Sequence, residues 1–300
     1  MDSKGRIATV GTFDGVHTGH LAVIGFLKTL AASRDLTPVV ITFDRHPLET
    51  VAPARAPLRL MDPGVEAERL RSLGVEVRVE AFTPALMKLS AREWMERIRS
   101  GLGVEALVVG YDNTFGCDGV DMSVADYARL GAGMGIRVDE APVVAGVSSS
   151  AIRKALLSGD AESAGRMLGR PYRLGGTVVK GRQLGRQLGF PTANVSVPSG
   201  RLVPARGVYA ATALLDDGQE APAVVNIGVC PTVAEGLAPT VEAHLIGVEA
   251  DLYGRLLTLD FTARLRGERR FGSLSELKAQ IASDVRDAEC LSSRGSGDGV

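Results

Sequence analysis

The sequence has few of the features that mark exported, membrane-bound or nucleic-acid-binding proteins. Its 300 residues include only three cysteines, Cys117, Cys230 and Cys290, which lie far apart. We therefore expect free thiols in a reducing cytoplasm and no disulfide framework. No run of about 18 apolar residues is present and the amino terminus has no signal-like core, so neither a membrane span nor export is expected. The net charge of −1 gives no strong field that would attract nucleic acid or an acidic membrane.

The length and composition fit two domains, of which the first has an α/β pattern. A hydrophobic content of 45% supports one or two packed cores. Through residue 168, β-rich runs alternate with helical patterns, which predicts a parallel sheet covered by helices on both faces. The predicted strands are 7–10, 38–43, 76–79, 106–109 and 137–140. The predicted helices between them are 21–32, 64–73, 91–101 and 123–134.

After residue 168 the sequence changes to closely spaced strands with many turns, which favours a barrel or a sandwich. The predicted elements are strands 174–179, 208–214, 223–227, 240–246 and 256–265, followed by a helix over 274–285. We therefore predict an α/β domain over 1–168 and a β-rich domain over 169–290. The polar, glycine-rich residues 291–300 are predicted to be a disordered tail.

The junction between the first strand and the first helix carries the most specific motif. Residues 11–20 read Gly-Thr-Phe-Asp-Gly-Val-His-Thr-Gly-His. His17 and His20 share one face of a helix turn, and the helix N-terminus favours an anion. The three glycines let the backbone approach a bulky ligand closely. The motif favours phosphate handling by imidazoles, without a lysine of the Walker type.

A metal site is the competing interpretation of two histidines at this spacing. Such a site needs a third and usually a fourth ligand. Only His46 and His244 remain as further histidines, and the cysteines are scattered. Zinc is therefore the weaker hypothesis.

Several motifs in the same order resemble those of bacterial bifunctional riboflavin kinase/FAD synthetases. Residues 11–20, 40–47, 108–116 and 147–153 resemble segments of the adenylyl-transferring module. Residues 189–194, Gly-Phe-Pro-Thr-Ala-Asn, resemble the signature of the flavokinase module. The resemblance implies a Rossmann-type, nucleotidyltransferase-like parallel-sheet domain, followed by a flavokinase β-barrel with a C-terminal helix.

The resemblance also implies two reactions. The barrel would phosphorylate riboflavin with ATP to give FMN, and the first domain would adenylylate FMN to FAD with release of pyrophosphate. ATP, riboflavin and FMN would be the partners, and Mg²⁺ would accompany ATP. FMN and FAD would be substrate and product rather than prosthetic groups. We expect a cytoplasmic monomer or weak homo-oligomer that binds neither nucleic acid nor membrane.

For adenylyl transfer, the resemblance assigns His17 and His20 to the ATP phosphates, where charge grows during attack on the α-phosphorus. FMN already offers an anionic nucleophile, so catalysis should consist of positioning and charge stabilisation. Phe115 is expected to pack on the flavin ring. The other predicted nucleotide contacts are Gly11, Thr12, Phe13, Asp14, Gly19, Asp112, Ser148, Ser149 and Arg153. Taken alone, Ser148 and Ser149 favour a plain helix cap. Beside Arg153 and the first motif, phosphate binding becomes the favoured interpretation.

Two places depart from the family pattern. The family usually has Phe-Arg at Asn113 and Thr114, and Thr-Arg at Ser150 and Ala151. Each missing arginine removes a charged hydrogen bond worth roughly 1.5–3 kcal/mol. The alternative function is therefore an active riboflavin kinase with a weakened or redirected nucleotidyltransferase domain.

For phosphoryl transfer, residues 180–189 form a basic loop punctuated by glycines. Gly181 and Gly185 would let main-chain N–H groups face a triphosphate. Thr192 and Asn194 offer hard oxygen ligands suited to Mg²⁺, and the resemblance assigns them to the metal bound with ATP.

Transfer to a hydroxyl also needs a proton acceptor. The period of two along strand 240–246 places Glu242 and His244 on one face. The resemblance puts the catalytic carboxylate at Glu242, where it would accept the proton of the ribityl 5′-hydroxyl; a surface glutamate is the competing interpretation. Asn226 and Arg266 are predicted to line the flavin site. A flavin-binding regulator without catalysis would not need His20, Thr192 or Glu242, so their presence argues against it.

Overall fold

The computed structural model describes residues 4–110, 114–181, 184–229 and 239–295. The chain divides between Ser149 and Ser150 into two units. The first unit contains a five-stranded sheet and the second a closed barrel. Within the described ranges, no helix combines the length and the apolar character that a membrane crossing requires.

Five parallel strands form the sheet of the first unit. They are β1 Arg6–Val10, β2 Thr37–Phe43, β3 Glu76–Glu80, β4 Val104–Val109 and β5 Arg137–Glu140. Their order in the sheet is β3-β2-β1-β4-β5. The predicted parallel sheet is therefore confirmed, with all five strands. Because the order changes direction at β1, the crevice beyond the carboxyl ends of β1 and β4 is the expected ligand site.

The helices of this unit begin at local capping residues. They are α1 Thr18–Ser33, α2 Pro47–Val51, α3 Pro63–Ser72, α4 Pro84–Met87, α5 Ala91–Leu102 and α6 Val124–Ala132. Ser90 and Ser123 form capping boxes with Glu93 and Asp126 at the starts of α5 and α6. The sequence predicted the four longer helices. It did not predict α2 and α4, because one turn of helix is too short to show a period.

Side-chain alternation along β1 divides the core into two layers. Ala8 and Val10 face one cluster of buried residues, which includes Trp94. Ile7 faces another cluster, which includes Ile24 and Leu27 of α1. The sheet is thus covered on both faces, as its continuous apolar strands require.

Six antiparallel strands close the barrel of the second unit in the order β10-β7-β6-β11-β8-β9. They are β6 Tyr172–Val179, β7 Ala193–Ser196, β8 Gly207–Leu215, β9 Glu220–Val229, β10 Pro239–Leu245 and β11 Leu256–Arg266. The helices that begin at or after the division are α7 Ser149–Ser158, α8 Ala161–Leu168, α9 Leu184–Leu188 and α10 Leu274–Gly295. The barrel and its C-terminal helix confirm the predicted fold class. The four-residue β7 was not predicted because it is short and begins only two residues after Pro191.

The limits of the predicted domains differ from the packing. Helix α8 buries Ala161, Ala164 and Leu168 and packs against β6 and β11. Residues 150–168 therefore group with the barrel, although the sequence placed the boundary at 168. Residues 291–295 are helical where a disordered tail was predicted, because Leu291 extends the apolar face of α10 that packs on Val208 and Val224. Residues 296–300 lie outside the described residues.

The hydroxyl of Tyr127 holds the segment that follows β4. Tyr127 is 1% exposed. Its hydroxyl accepts a hydrogen bond from the Phe115 N–H at 2.9 Å and donates one to the Phe115 carbonyl oxygen at 2.8 Å. One side chain thus satisfies both main-chain groups of a buried residue, which would otherwise be costly.

We expect Tyr127→Phe to lower the free energy of unfolding of the first unit by about 1–3 kcal/mol, because it leaves buried main-chain groups unpaired. Urea unfolding followed by fluorescence measures this, since the only tryptophan, Trp94, lies in the same core cluster. The 83%-exposed Val120 supplies the control Val120→Ala, expected to change stability by less than about 0.5 kcal/mol. An equally small effect of Tyr127→Phe would contradict the proposed restraint.

Candidate active sites

A strained turn connects β1 to α1 and carries the first candidate site. Phe13 and Val16 have positive φ angles of 37° and 40°, and Gly15 lies between them at 87°. Side chains other than glycine rarely adopt such angles. Both strained residues are buried. Strain of this kind persists only where the surrounding structure fixes the backbone, and it is common at functional sites.

The turn delivers the two histidines to the start of α1. His17 is the N-cap, and its Nδ1 accepts a hydrogen bond from the His20 N–H at 3.3 Å. The two imidazoles stack with centroids 3.6 Å apart and planes inclined by 17°. The Phe13 ring lies 5.0 Å from that of His20. The predicted pair is therefore one preformed unit at the carboxyl end of β1.

The surroundings keep His20 neutral. Burial, and then the neighbouring His17, hold the pKa of His20 well below 6.5. The Nδ1 atom of His20 is buried and has no hydrogen-bond partner among the residues that the structure describes. An orphaned buried polar atom calls for an explanation in a native structure. A bound anion that favours uptake of a proton by the ring would be such an explanation.

Asp14 connects this turn to two other segments. Its carboxylate accepts hydrogen bonds from the N–H groups of Leu60 and Met61 at 3.0–3.1 Å. Its main-chain oxygen accepts one from the Ser149 hydroxyl at 2.9 Å. The structure thus brings Ser149 to the histidine turn, and its contact with nucleotide stays a prediction. The carboxylate itself is engaged by main chain, and its contact with nucleotide stays a prediction.

The remaining residues predicted to contact nucleotide at this site have different surroundings in the structure. Gly19 leaves room beside His17, because a Cβ there would lie 3.1 Å from the imidazole ring. The Gly11 N–H donates a hydrogen bond to the Ile41 carbonyl oxygen of β2 at 3.0 Å. Thr12 and Ser148 are half-buried. Arg153 lies on α7 beyond the division, and Asp112 and Asn113 lie outside the described residues.

Phe115 packs in the protein core. It is 7% exposed, and its ring lies 4.4 Å from Tyr127 and 5.7 Å from Trp94. The following Gly116 has a φ of 90°, and a Cβ there would lie 2.3 Å from the Ala91 nitrogen, so no other residue fits. This geometry gives Phe115 a packing role, and its contact with flavin stays a prediction.

The second candidate site is a row of polar side chains across three strands of the barrel. In the β10–β7 pairing Glu242 lies opposite Asn194, and in the β10–β9 pairing it lies opposite Asn226. The alternate residues Val241 and Ala243 are buried. Period two thus puts Glu242 and both asparagines together on the outer face of the barrel. The sequence predicted each of the three residues but not their alignment, which depends on β7.

The two predicted glycines lie against the predicted metal ligands. A Cβ at Gly181 would lie 2.2 Å from the Asn194 side chain, and one at Gly185 would lie 3.3 Å from the Thr192 hydroxyl. Gly185 also belongs to α9, where the sequence analysis predicted a loop. Gly181 and Gly185 of the basic segment therefore lie beside Thr192 and Asn194. Whether its main-chain N–H groups meet a triphosphate stays a prediction.

His244 supports the turn that precedes β7. Its Nδ1 lies 2.8 Å from the Pro191 carbonyl oxygen. Its ring meets Phe190 edge-on at 5.5 Å. These contacts give His244 a packing role, and they fix the residue immediately before Thr192.

A cavity of about 570 Å³ adjoins Thr192. Its lining includes Arg186 of α9, Ala243 of β10, and Asp251 and Tyr253 of the segment after β10. The sequence did not indicate this cavity, because much of its lining comes from residues 248–253, which carry no motif. The available signals were Arg186 in the basic segment and residues 191–193 in the flavokinase signature.

Arg266 joins the end of β11 to α10. Its guanidinium donates to both carboxylate oxygens of Asp284 at 2.8–3.2 Å. It also lies 5.7 Å from the centre of the Phe271 ring. Asp284 is almost fully buried, so Arg266 serves at least to satisfy a buried charge. Its predicted flavin contact stays a prediction.

Comparison with known proteins agrees with both units. The FAD synthetase family model matches residues 1–153, and the riboflavin kinase family model matches residues 168–291. A bifunctional riboflavin kinase/FMN adenylyltransferase of Pseudomonas fluorescens is 42% identical, over 97% of this chain and 94% of its own length. Proteins with the same description are 39% identical in Escherichia coli K12 and 35% identical in Bacillus subtilis, each over 94% of this chain and 91% of their own length.

The fold also matches a solved structure over almost its full length. That structure, described as a macrolide-efflux protein from Streptococcus pneumoniae, has a TM-score of 0.84 at 26% identity and covers 96% of this chain and 95% of its own. The two domain matches occur in one chain, in the same order as the sheet and the barrel. Together with relatives that align over nearly the whole length, they show that this chain belongs to the bifunctional riboflavin kinase/FMN adenylyltransferase family.

Proposed function

We propose that His17 and His20 carry the FMN adenylyltransferase activity of this bifunctional enzyme. The supporting observation is their stacked placement at the carboxyl end of β1, at the N-terminus of α1. A phosphate oxygen of FMN attacks the α-phosphorus of ATP, the bond to the β-phosphate breaks, and pyrophosphate leaves. A helix N-terminus and two imidazoles suit the growing negative charge.

Phosphate binding also accounts for the unusual state of His20. A bound polyphosphate places negative charge beside the ring, which raises the pKa of the imidazole. A proton taken up at this point strengthens the contact with the phosphates. Nucleotide binding would thus favour the charged, hydrogen-bond-donating form of a ring whose pKa is lowered in the free protein.

We assign riboflavin phosphorylation to the row on the barrel. Glu242 accepts the proton of the ribityl 5′-hydroxyl while that oxygen attacks the γ-phosphorus of ATP, and ADP leaves. Asn194 and Asn226, on either side of Glu242, supply amide groups that orient the reactants. The single observation that supports this assignment is the register that sets Glu242 beside Asn194.

The donors around Thr192 and Asn194 fit Mg²⁺ bound with ATP. A hydroxyl and an amide oxygen are hard ligands, and so few protein ligands leave room for phosphate oxygens and water. Such an ion would neutralise polyphosphate charge at this position. The adjoining cavity, which shares Thr192, is large enough for part of a nucleotide. It is our candidate for the remainder of ATP.

A cytoplasmic location and a monomer or weak oligomer complete the proposal. The described cysteines, Cys117 and Cys290, are both free thiols, which fits a reducing compartment. ATP is consumed in both reactions.

We expect Glu242→Gln to lower the rate of FMN formation by about 10²–10⁴-fold, because the amide cannot accept the proton. Conversion of supplied FMN to FAD should be unchanged. Separation of the flavin products by chromatography measures both rates in one preparation. The matched control is Glu220→Gln, at an exposed position of β9, which should leave both rates intact. Equal loss of both reactions by a folded Glu242→Gln protein would contradict the assignment.

We expect His20→Ala to have the opposite effect. Loss of one group that stabilises the transition state lowers FAD formation from FMN by about 10²–10³-fold. Riboflavin phosphorylation by the same protein is the internal control and should persist. An unchanged FAD rate would remove His20 from its proposed role.

The alternative function, a kinase with a weakened nucleotidyltransferase, is favoured by the departures at Thr114 and Ala151. Incubation of the wild-type protein with riboflavin, ATP and Mg²⁺ distinguishes the two. FMN followed by FAD supports the full bifunctional assignment. Accumulation of FMN alone supports the alternative.

A further inference from the structure

A buried glutamate on α3 lies behind the strained histidine turn. Glu66 is 1% exposed. Its Oε1 accepts a hydrogen bond from the Thr42 hydroxyl of β2 at 3.1 Å, and its Oε2 lies 3.1 Å from a guanidinium nitrogen of Arg59. Carboxylates are rarely buried without a partner. None of the sequence motifs includes Glu66.

Arg59 links the Glu66 carboxylate to the neighbouring main chain. Its side chain is 11% exposed, and its Nε donates to the Met61 carbonyl oxygen at 3.3 Å. The guanidinium therefore fixes residues 59–61 from inside. Glu49 also faces Arg59, with 3.9 Å between its carboxylate oxygen and a guanidinium nitrogen.

Residues 60 and 61 in turn hold Asp14. Both of their N–H groups donate to the Asp14 carboxylate, which is itself 2% exposed. Asp14 lies between Phe13 and Gly15, inside the turn with positive φ angles. A strained turn needs such outside restraint to keep one conformation. A continuous set of contacts thus runs from Glu66 through Arg59 and residues 60–61 to the residues that precede His17.

We propose that Glu66 is a positioning residue for adenylyl transfer, which holds the histidine turn through Arg59 and Asp14. The inference rests on the proposed role of His17 and His20. Glu66 itself contacts no reactant in this account. Displacement of reacting groups by about 1 Å can lower a rate by 10²-fold, so a residue behind the site can control the reaction.

The raised pKa of Glu66 gives its positioning role a pH dependence that can be tested. Burial raises the pKa of Glu66 to about 8, against the opposing effect of Arg59, and the Asp14 carboxylate raises it as well. Because the folded-state pKa is raised, the protonated carboxyl favours the folded unit. This stability is complete below pH 4.5, the ordinary value of a glutamate, and is lost as pH rises through about 8. The raised pKa of Glu66 means that burial and the Asp14 charge outweigh the closer pairing with Arg59, so ionisation of Glu66 should loosen the hold on the turn.

The test compares Glu66→Met with Glu66→Gln in the full-length protein. Methionine fills the space without hydrogen bonds, and we expect it to lower kcat for FAD formation about tenfold at pH 7. Glutamine resembles the protonated carboxyl and should keep kcat within about twofold of the wild type. Riboflavin phosphorylation should be unchanged in both variants. Wild-type FAD formation should also fall as pH rises through about 8, while Glu66→Gln keeps its rate.

A second pair of variants covers the case in which Glu66→Met does not fold, as shown by Trp94 fluorescence. Thr42→Val removes only the hydroxyl that donates to Glu66 and should lower FAD formation about threefold. Thr42→Ser keeps the hydroxyl and should restore the rate. Wild-type kcat in Glu66→Met, or in Thr42→Val where the first variant is unfolded, would overturn the proposal.

His20→Ala, measured in parallel, separates this inference from the site on which it rests. If His20→Ala abolishes FAD formation and Glu66→Met does not lower it, only the positioning role of Glu66 fails. If His20→Ala keeps the wild-type rate, the proposed site itself fails.

Discussion

The register of β10 between β7 and β9 is the constraint on which the barrel site depends. It sets Glu242 directly opposite both Asn194 and Asn226, and it turns Val241 and Ala243 inward. A slip of one residue would bury the carboxylate and expose the apolar residues. The buried face therefore holds the polar row in place. Hydrophobic packing and the geometry of the proposed catalytic row are two consequences of the same pairing.

The first site depends on a different form of positioning. Parallel strands gather their carboxyl ends at one edge of the sheet, and the turn after β1 carries the histidines to that edge. The turn is strained at Phe13 and Val16, so strand direction alone does not fix it. Asp14 supplies the restraint: its carboxylate binds the main-chain N–H groups of residues 60 and 61, and its main-chain oxygen accepts a hydrogen bond from the Ser149 hydroxyl. A buried polar network thus positions the histidine turn, whereas strand register positions the polar row on the barrel.

The sequence predicted those features that repeat with a period or match a motif. All five strands of the sheet, the barrel and the C-terminal helix were predictable for this reason. Strand β7 was not, because four residues after a proline show no reliable alternation, and so the alignment of Asn194 with Glu242 was missed. Glu66 and Arg59 could not be found either, since their contacts join residues that are adjacent only after folding. The packing of Phe115 and the ion pair of Arg266 likewise follow from tertiary contacts.

The central claim is that one chain performs two ATP-dependent reactions with two separate sets of residues. Complementation between the two single variants tests it most directly. Glu242→Gln and His20→Ala proteins are incubated separately and as a mixture with riboflavin, ATP and Mg²⁺, and FAD is measured. The account predicts no substantial FAD from either protein alone, and FAD from the mixture, because FMN made by one protein is adenylylated by the other. Failure of the mixture to form FAD, with both variants folded, would contradict it.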